Sequence, residues 1–109
     1  MGNFKTLLLA HKTLVEVCSE FESMCCEAHL HHTATEYATA IAFAEMNMRY
    51  LTDAGDPYER EVALRIGRNS TKVYEDVLRI MPDSTMLYQR LKMEYETALE
   101  SIKAELLMP

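Results

Sequence analysis

The densest concentration of reactive side chains in the chain is Cys25-Cys26-Glu27-Ala28-His29-Leu30-His31-His32. If this stretch is helical, Cys25 and His29 stand one turn apart, and His32 stands one turn before Glu36. Thiolate, imidazole and carboxylate at that spacing are ligands for zinc or copper. The Cys-x-x-Cys pairs of closed zinc sites are missing, and so are the Glu-x-x-His pairs of di-iron bundles, because Leu30 follows Glu27 and Thr39 follows Glu36 at the required offset. The expectation is therefore no resident metal and no cofactor. Cys25, His29, His32 and Glu36 are the residues that would hold an ion if one binds, and solvated histidines at a helix turn are the ordinary reading.

Two other titratable positions fall close to apolar faces. His11 lies inside the apolar stripe of the first segment, where a neutral imidazole needs a hydrogen-bond partner. No nucleophile or base stands near it in sequence, so the reading is a structural histidine rather than a catalytic one. Glu45 stands between Ile41 and Met48, at the flank of a buried face, with solvent the expected destination of its carboxylate. Met1-Gly2-Asn3-Phe4-Lys5-Thr6 fits the N-myristoylation pattern, which makes Gly2 a lipidation candidate and a membrane tether one alternative function. A single acyl chain anchors only marginally, and the same residues also read as the start of an amphipathic helix.

Arg65, Arg68 and Lys72, continued by Arg79, form a basic stripe. Glu61 and Glu75 stand four residues before Arg65 and Arg79, the favourable order for helix ion pairs, so a solvated face is the common explanation and docking of an acidic partner the functional one. The net charge of -6 disfavours a nucleic-acid binder, which needs clustered Lys and Arg on its surface. Gly-rich phosphate loops, nucleophile elbows and dinucleotide fingerprints are absent from the sequence, which is the basis for expecting no enzyme.

The elements that must position these residues are helices. Phe4, Leu7, His11, Leu14, Cys18, Phe21, Cys25 and Ala28 recur at alternating intervals of three and four, one stripe of a first helix. Thr33-Ala34-Thr35-Glu36 has the form of a capping box that would start a second. The stretch from Tyr37 to Leu51 is apolar on nearly every side, with alanines for close approach and Ile41, Phe43, Met46 and Met48 for bulk. Ala54-Gly55 reads as a helix stop, and Asp56-Pro57-Tyr58-Glu59 as the next start.

A third helix is expected to turn Tyr58, Val62, Ile66, Val73, Val77 and Ile80 or Met81 inward, with a bend or break near Gly67-Ser70. Pro82-Asp83-Ser84 is expected to cap a fourth, whose face is Leu87 or Tyr88, Leu91, Tyr95, Ala98, Ile102 and Leu106. Residues 1–109, with only 3 Gly and 3 Pro, thus read as one all-α domain. Short connections make it an antiparallel up-down-up-down four-helix bundle. An odd cysteine count with two adjacent thiols points to a reducing, cytoplasmic setting.

One such bundle hides one face of each helix, and the second helix carries more apolar surface than that. The sequence therefore supports a non-enzymatic interaction module, an adaptor, inhibitor or assembly subunit, that binds a protein partner and forms a homodimer. Phe43, Met46, Tyr50, Arg65, Arg68 and Lys72 are the candidate contact residues. A bundle holding a metal or small ligand through the Cys/His turn is the alternative from another class.

Overall fold

A computed structural model describes residues 4–53 and 57–107. They form four helices, α1 (Phe4–Glu27), α2 (His31–Asp53), α3 (Pro57–Ile80) and α4 (Met86–Leu107). Each helix packs on its neighbours in sequence, and α4 returns to pack on α1, which closes an up-down-up-down bundle. The backbones of the diagonal pairs, α1 with α3 and α2 with α4, do not approach each other closely, although side chains such as His11 of α1 and Tyr74 of α3 meet across the centre, so the helices occupy the corners of a square. The α1–α4 seam and the α2–α3 seam are consequently opposite sides of the molecule, which measures 45 × 22 × 18 Å.

α1 ends in a Schellman turn. The Leu30 N–H donates to the Cys25 carbonyl at 2.8 Å and the His29 N–H to the Cys26 carbonyl at 3.1 Å, with His29 at a φ of 60°. α2 begins immediately, its Ala34 N–H donating to the Leu30 carbonyl at 2.9 Å. Thr33 is therefore inside the helix and not its cap, and Glu36 stands 3.9 Å from His32 along the helix face. The closing and capping roles expected of Gly55 and Asp56 fall outside the described residues, but α2 and α3 end and begin on either side of them. The cap of α4 is Thr85, whose hydroxyl accepts from the Tyr88 N–H at 3.1 Å, rather than Asp83 or Ser84. Asp83 instead uses its carbonyl to hold the Gln89 amide at 2.9 Å.

The core is built from Leu7, Leu14, Val17 and Phe21 of α1, Tyr37, Ala40 and Ala44 of α2, Tyr74 and Val77 of α3, and Leu91, Tyr95, Leu99 and Ile102 of α4. Each large aliphatic side chain removed from water contributes roughly 1.5–3 kcal/mol. Alanines on the inner face of α2 bring α1 close to it, and this is the most extensive interface of the bundle.

α3 departs from the expected face. It runs without a break through Gly67-Ser70. Its buried residues are Ala63, Gly67, Ser70, Tyr74 and Val77, whereas Val62, Ile66 and Val73 are half-buried and Tyr58 is 77% exposed. The inward face is thus rotated by about one residue position, toward the small and polar residues of the stretch, at 3.6 residues per turn. Two contacts explain the choice. A Cβ at Gly67 would lie 3.1 Å from a Leu106 methyl, so glycine lets α3 and α4 approach here. Ser70 is drawn inward by Asn47 of α2, whose amide nitrogen is 3.0 Å from the Ser70 hydroxyl.

Candidate interaction surface

The polar residues held inside the bundle form a connected seam. Asn47 Nδ2 lies 2.8 Å from the Phe43 carbonyl, 3.0 Å from Ser70 Oγ and 3.0 Å from Tyr74 Oη, so its two N–H groups serve three acceptors. Ser70 donates to the Ile66 carbonyl at 2.8 Å and Tyr95 to the Tyr74 carbonyl at 2.6 Å. His11 packs edge-on against Tyr74, with ring centroids 5.7 Å apart.

The His11 Nδ1 is 2.8 Å from the Leu7 carbonyl, which places the proton of the neutral ring there and leaves Nε2 an acceptor without a donor among the described residues. Burial holds the His11 pKa below the usual imidazole range, opposed by the bond to Leu7. Burial pushes the Cys18 thiol up to about 12, with the nearby Glu22 charge adding to the effect, so it is not a nucleophile at neutral pH. The Tyr37, Tyr74 and Tyr95 hydroxyls are also raised by burial. This seam is sealed from solvent. It specifies how the helices pair.

The Cys/His turn does not assemble into a metal centre: among the described residues no three His, Cys, Asp or Glu side chains converge on one point. The Schellman turn is the reason, because it ends α1 at Glu27 and puts Cys25 and His29 on either side of a reversal of the chain. Cys25 is half-buried, and His29, His32 and Glu36 are exposed. The Gly2 lipidation candidate lies outside the described residues. No helix among those described is long and apolar enough to cross a membrane.

The surplus apolar surface of α2 is real but smaller than its composition suggests. Phe43 is half-buried and packs on the core of its own chain, and Met46 is half-buried. Tyr50 is 43% exposed. Beside Met46 and Tyr50 runs a groove of about 780 Å³ between α2 and α3, lined by Ala42, Met46, Arg49, Tyr50, Tyr58, Glu59 and Val62. Its lining combines aliphatic side chains and one residue of each charge with two tyrosines, which present broad surface at small conformational cost.

The basic stripe divides on inspection. Arg68 is engaged within the fold, its Nε donating to the Leu106 carbonyl at 3.4 Å, where a cation suits the end of α4. Lys72 stands 3.9 Å from Asp76. Arg65 is exposed, and neither it nor Arg49 makes an ion pair among the described residues. The helix pairs expected from spacing do not form: Glu61 does not reach Arg65, Glu75 crosses to Lys103 of α4 at 2.8 Å, and Arg79 turns to Asp76 at 2.8 Å. Among the described residues, Arg65 is thus the member of the stripe that makes neither an ion pair nor a hydrogen bond through its side chain.

Sequence reasoning missed the opposite side. Leu9 of α1 and Met93 of α4 are each 66% exposed and border one groove of about 400 Å³ with Thr6, Thr13, Thr97 and Ser101. The signal was present in the spacing. Leu9 stands two residues after Leu7 and Met93 two after Leu91, so both sit off their helix's inward stripe.

No protein-family model, curated protein or solved structure matches this chain.

Proposed function

We propose that the protein is a small, acidic, non-enzymatic binding module of the cytoplasm that acts by docking a protein partner, a second copy of itself included, in the groove between α2 and α3. The observation that supports this reading is the groove itself, lined by the aliphatic side chains of Ala42, Met46 and Val62, by Tyr50 and Tyr58, and by Arg49 and Glu59, with Arg65 exposed one turn further along α3. Such a surface suits an amphipathic helix whose apolar stripe fills the floor and whose acidic flank meets the arginines. The reading also draws support from the groups with altered ionisation in the core. His11, Cys18, Tyr74 and Tyr95 are buried, where they order the bundle instead of facing a substrate.

The test is a paired capture from the source cell with the wild-type chain and a Met46→Asp variant, followed by amide exchange on the captured complex. A protein retained by the wild type and lost by the variant, with protection at residues 42–50 and 58–65, is the expected result. Capture indifferent to the substitution, or protection confined to another face, overturns it.

A further inference from the structure

The groove between α2 and α3 runs along the second half of α2, and the first turns of the same helix border a different cavity. It holds about 280 Å³ at the end of the bundle where α1 turns into α2 and α3 passes to α4. All four helices contribute to it: Phe21 and Cys25 from α1, Tyr37 from α2, Ile80 from α3 and Tyr88 from α4, with Leu30 from the turn. Leu30 and Ile80, 54% and 41% exposed, stand at its mouth, and the sealed rings of Phe21 and Tyr37 form its floor.

The lining dictates the chemistry of an occupant. It contains no Asp, Glu, Lys or Arg, whereas the α2–α3 groove has one residue of each charge. A charged molecule would lose its hydration here with no counter-charge to meet it, so the occupant is neutral. The floor is a row of rings: Phe21 stacks on Tyr37 with centroids 5.3 Å apart and planes at 11°, and meets Tyr88 at 5.8 Å. A flat aromatic molecule extends such a row by stacking or edge contacts.

The polar handle is the Tyr37 hydroxyl. It is buried without a hydrogen-bond partner among the described residues, although Tyr74 and Tyr95 in the same core each have one. Burial raises its pKa, so the proton stays on and is available to donate. A buried phenol ordinarily finds a partner. Here the protein supplies no acceptor, and Tyr37 borders a cavity that a molecule from outside can enter.

We infer that this cavity binds a small neutral aromatic molecule with one hydrogen-bond acceptor, stacked on the Phe21, Tyr37 and Tyr88 rings and accepting from the Tyr37 hydroxyl. A volume just under the roughly 300–1,000 Å³ of ordinary ligand pockets limits it to one or two fused rings. The site is separate from the docking groove, because Tyr37 and Met46 stand about 14 Å apart along α2. Protein docking and small-molecule binding therefore occupy different ends of one chain.

Quinoline and naphthalene test it, since they share a shape and differ by one ring nitrogen that accepts a hydrogen bond. In titrations of the isotope-labelled full chain followed by amide chemical shifts, both are expected to move residues 21–30, 37 and 88. Quinoline is expected to bind about tenfold more tightly, the worth of one hydrogen bond. Tyr37→Phe keeps the ring and removes the unpaired hydroxyl; it is expected to bring quinoline down to the affinity of naphthalene and leave naphthalene unchanged. Ala28 is an exposed lining residue, so Ala28→Trp fills the mouth without disturbing the core and is expected to abolish binding of both.

Shifts that never saturate, or that centre on the α2–α3 groove, overturn the cavity as a site. Equal affinities for the two probes, or quinoline binding indifferent to Tyr37→Phe, overturn the bond to Tyr37 and with it the class of ligand. Neither result bears on the groove, which the capture experiment decides.

Discussion

Asn47 of α2 and Tyr74 of α3 meet in the centre of the bundle with the amide nitrogen 3.0 Å from the phenol oxygen, and neither is more than 1% exposed. The same amide reaches Ser70, so α2 and α3 are fixed against each other by polar groups at a depth where an unpaired one is costly. Apolar contacts alone allow a helix to rotate or slide by a fraction of a turn. A buried amide with its partners satisfied in a single arrangement does not.

Replacing Asn47 with alanine is therefore expected to destabilise the fold by about 2–4 kcal/mol, combining the volume lost with the donor removed from the Tyr74 and Ser70 hydroxyls, of which Ser70 keeps its bond to Ile66. The check is urea unfolding of the single variants Asn47→Ala and Ser70→Ala and of the double variant. The double variant should be less destabilised than the sum of the singles, with a coupling of about 1 kcal/mol. Strict additivity would show that the two side chains do not act as a unit.

Gly67 offers a second test because helix propensity and packing oppose each other there. Alanine gains about 1 kcal/mol in a helix interior, but its Cβ meets the Leu106 methyls at 3.1 and 3.2 Å. Those methyls are the far ends of a flexible side chain in the last turn of α4, so they give way by a few tenths of an ångström. The two effects are expected to cancel to within about 1 kcal/mol for Gly67→Ala. Gly67→Leu cannot be absorbed by a rotamer change and is expected to cost about 3 kcal/mol by forcing α4 outward. Thermal unfolding of the pair measures both.

Most of the bundle is legible in the residue spacing, and the exceptions have a common cause. The α1 stripe is inward as read, from Leu7 and His11 to Phe21, and so is the α4 stripe from Leu91 to Leu106. For α3 the largest apolar residues suggest one face, whereas the bundle buries the neighbouring one, because Gly67 permits close approach and Ser70 answers Asn47. That preference belongs to a pair of helices and cannot be found within either. The ion pairs follow the same rule: Glu75 takes Lys103 from another helix over Arg79 from its own. Of the candidate surface, Met46 and Tyr50 were legible as surplus on α2, but Tyr58 read as core, and Leu9 and Met93, though their spacing sets them off the inward stripes, were not singled out.

His29 occupies the left-handed position of the Schellman turn, with a φ of 60°, where glycine meets no Cβ penalty. An L-residue in this region is held there at a cost of about 1 kcal/mol. His29→Gly is expected to raise stability by up to about 1 kcal/mol, less the greater freedom glycine has in the unfolded chain. His29→Ala should give no such gain, because alanine keeps the Cβ. A comparison of the two in urea separates backbone strain from any effect of losing the imidazole.

His11 makes stability depend on pH in a window that can be assigned. Its pKa is lowered in the folded chain, chiefly by burial, and its usual value is 6.5. Tyr74 of α3, which packs on its ring, is neutral in this range because burial raises its hydroxyl, and among the described residues no carboxylate pairs with His11 to stabilise an imidazolium. Above the unfolded value both states are neutral at His11, and its contribution is complete. As pH falls below 6.5 the unfolded chain takes up a proton that the folded chain refuses, so stability falls, with a limiting slope of about 1.4 kcal/mol per pH unit until the folded value is reached. Glu75, lowered by its hydrogen bond and charge interaction with Lys103, is shifted in the same sense, but its contribution is lost only as pH falls below its usual 4.5, so the two windows are separate. Urea midpoints measured from pH 7 down to about 5 should decline for the wild type and stay level over that interval in His11→Leu. An equal decline in both proteins would assign the acid sensitivity to other groups and remove His11 from the account.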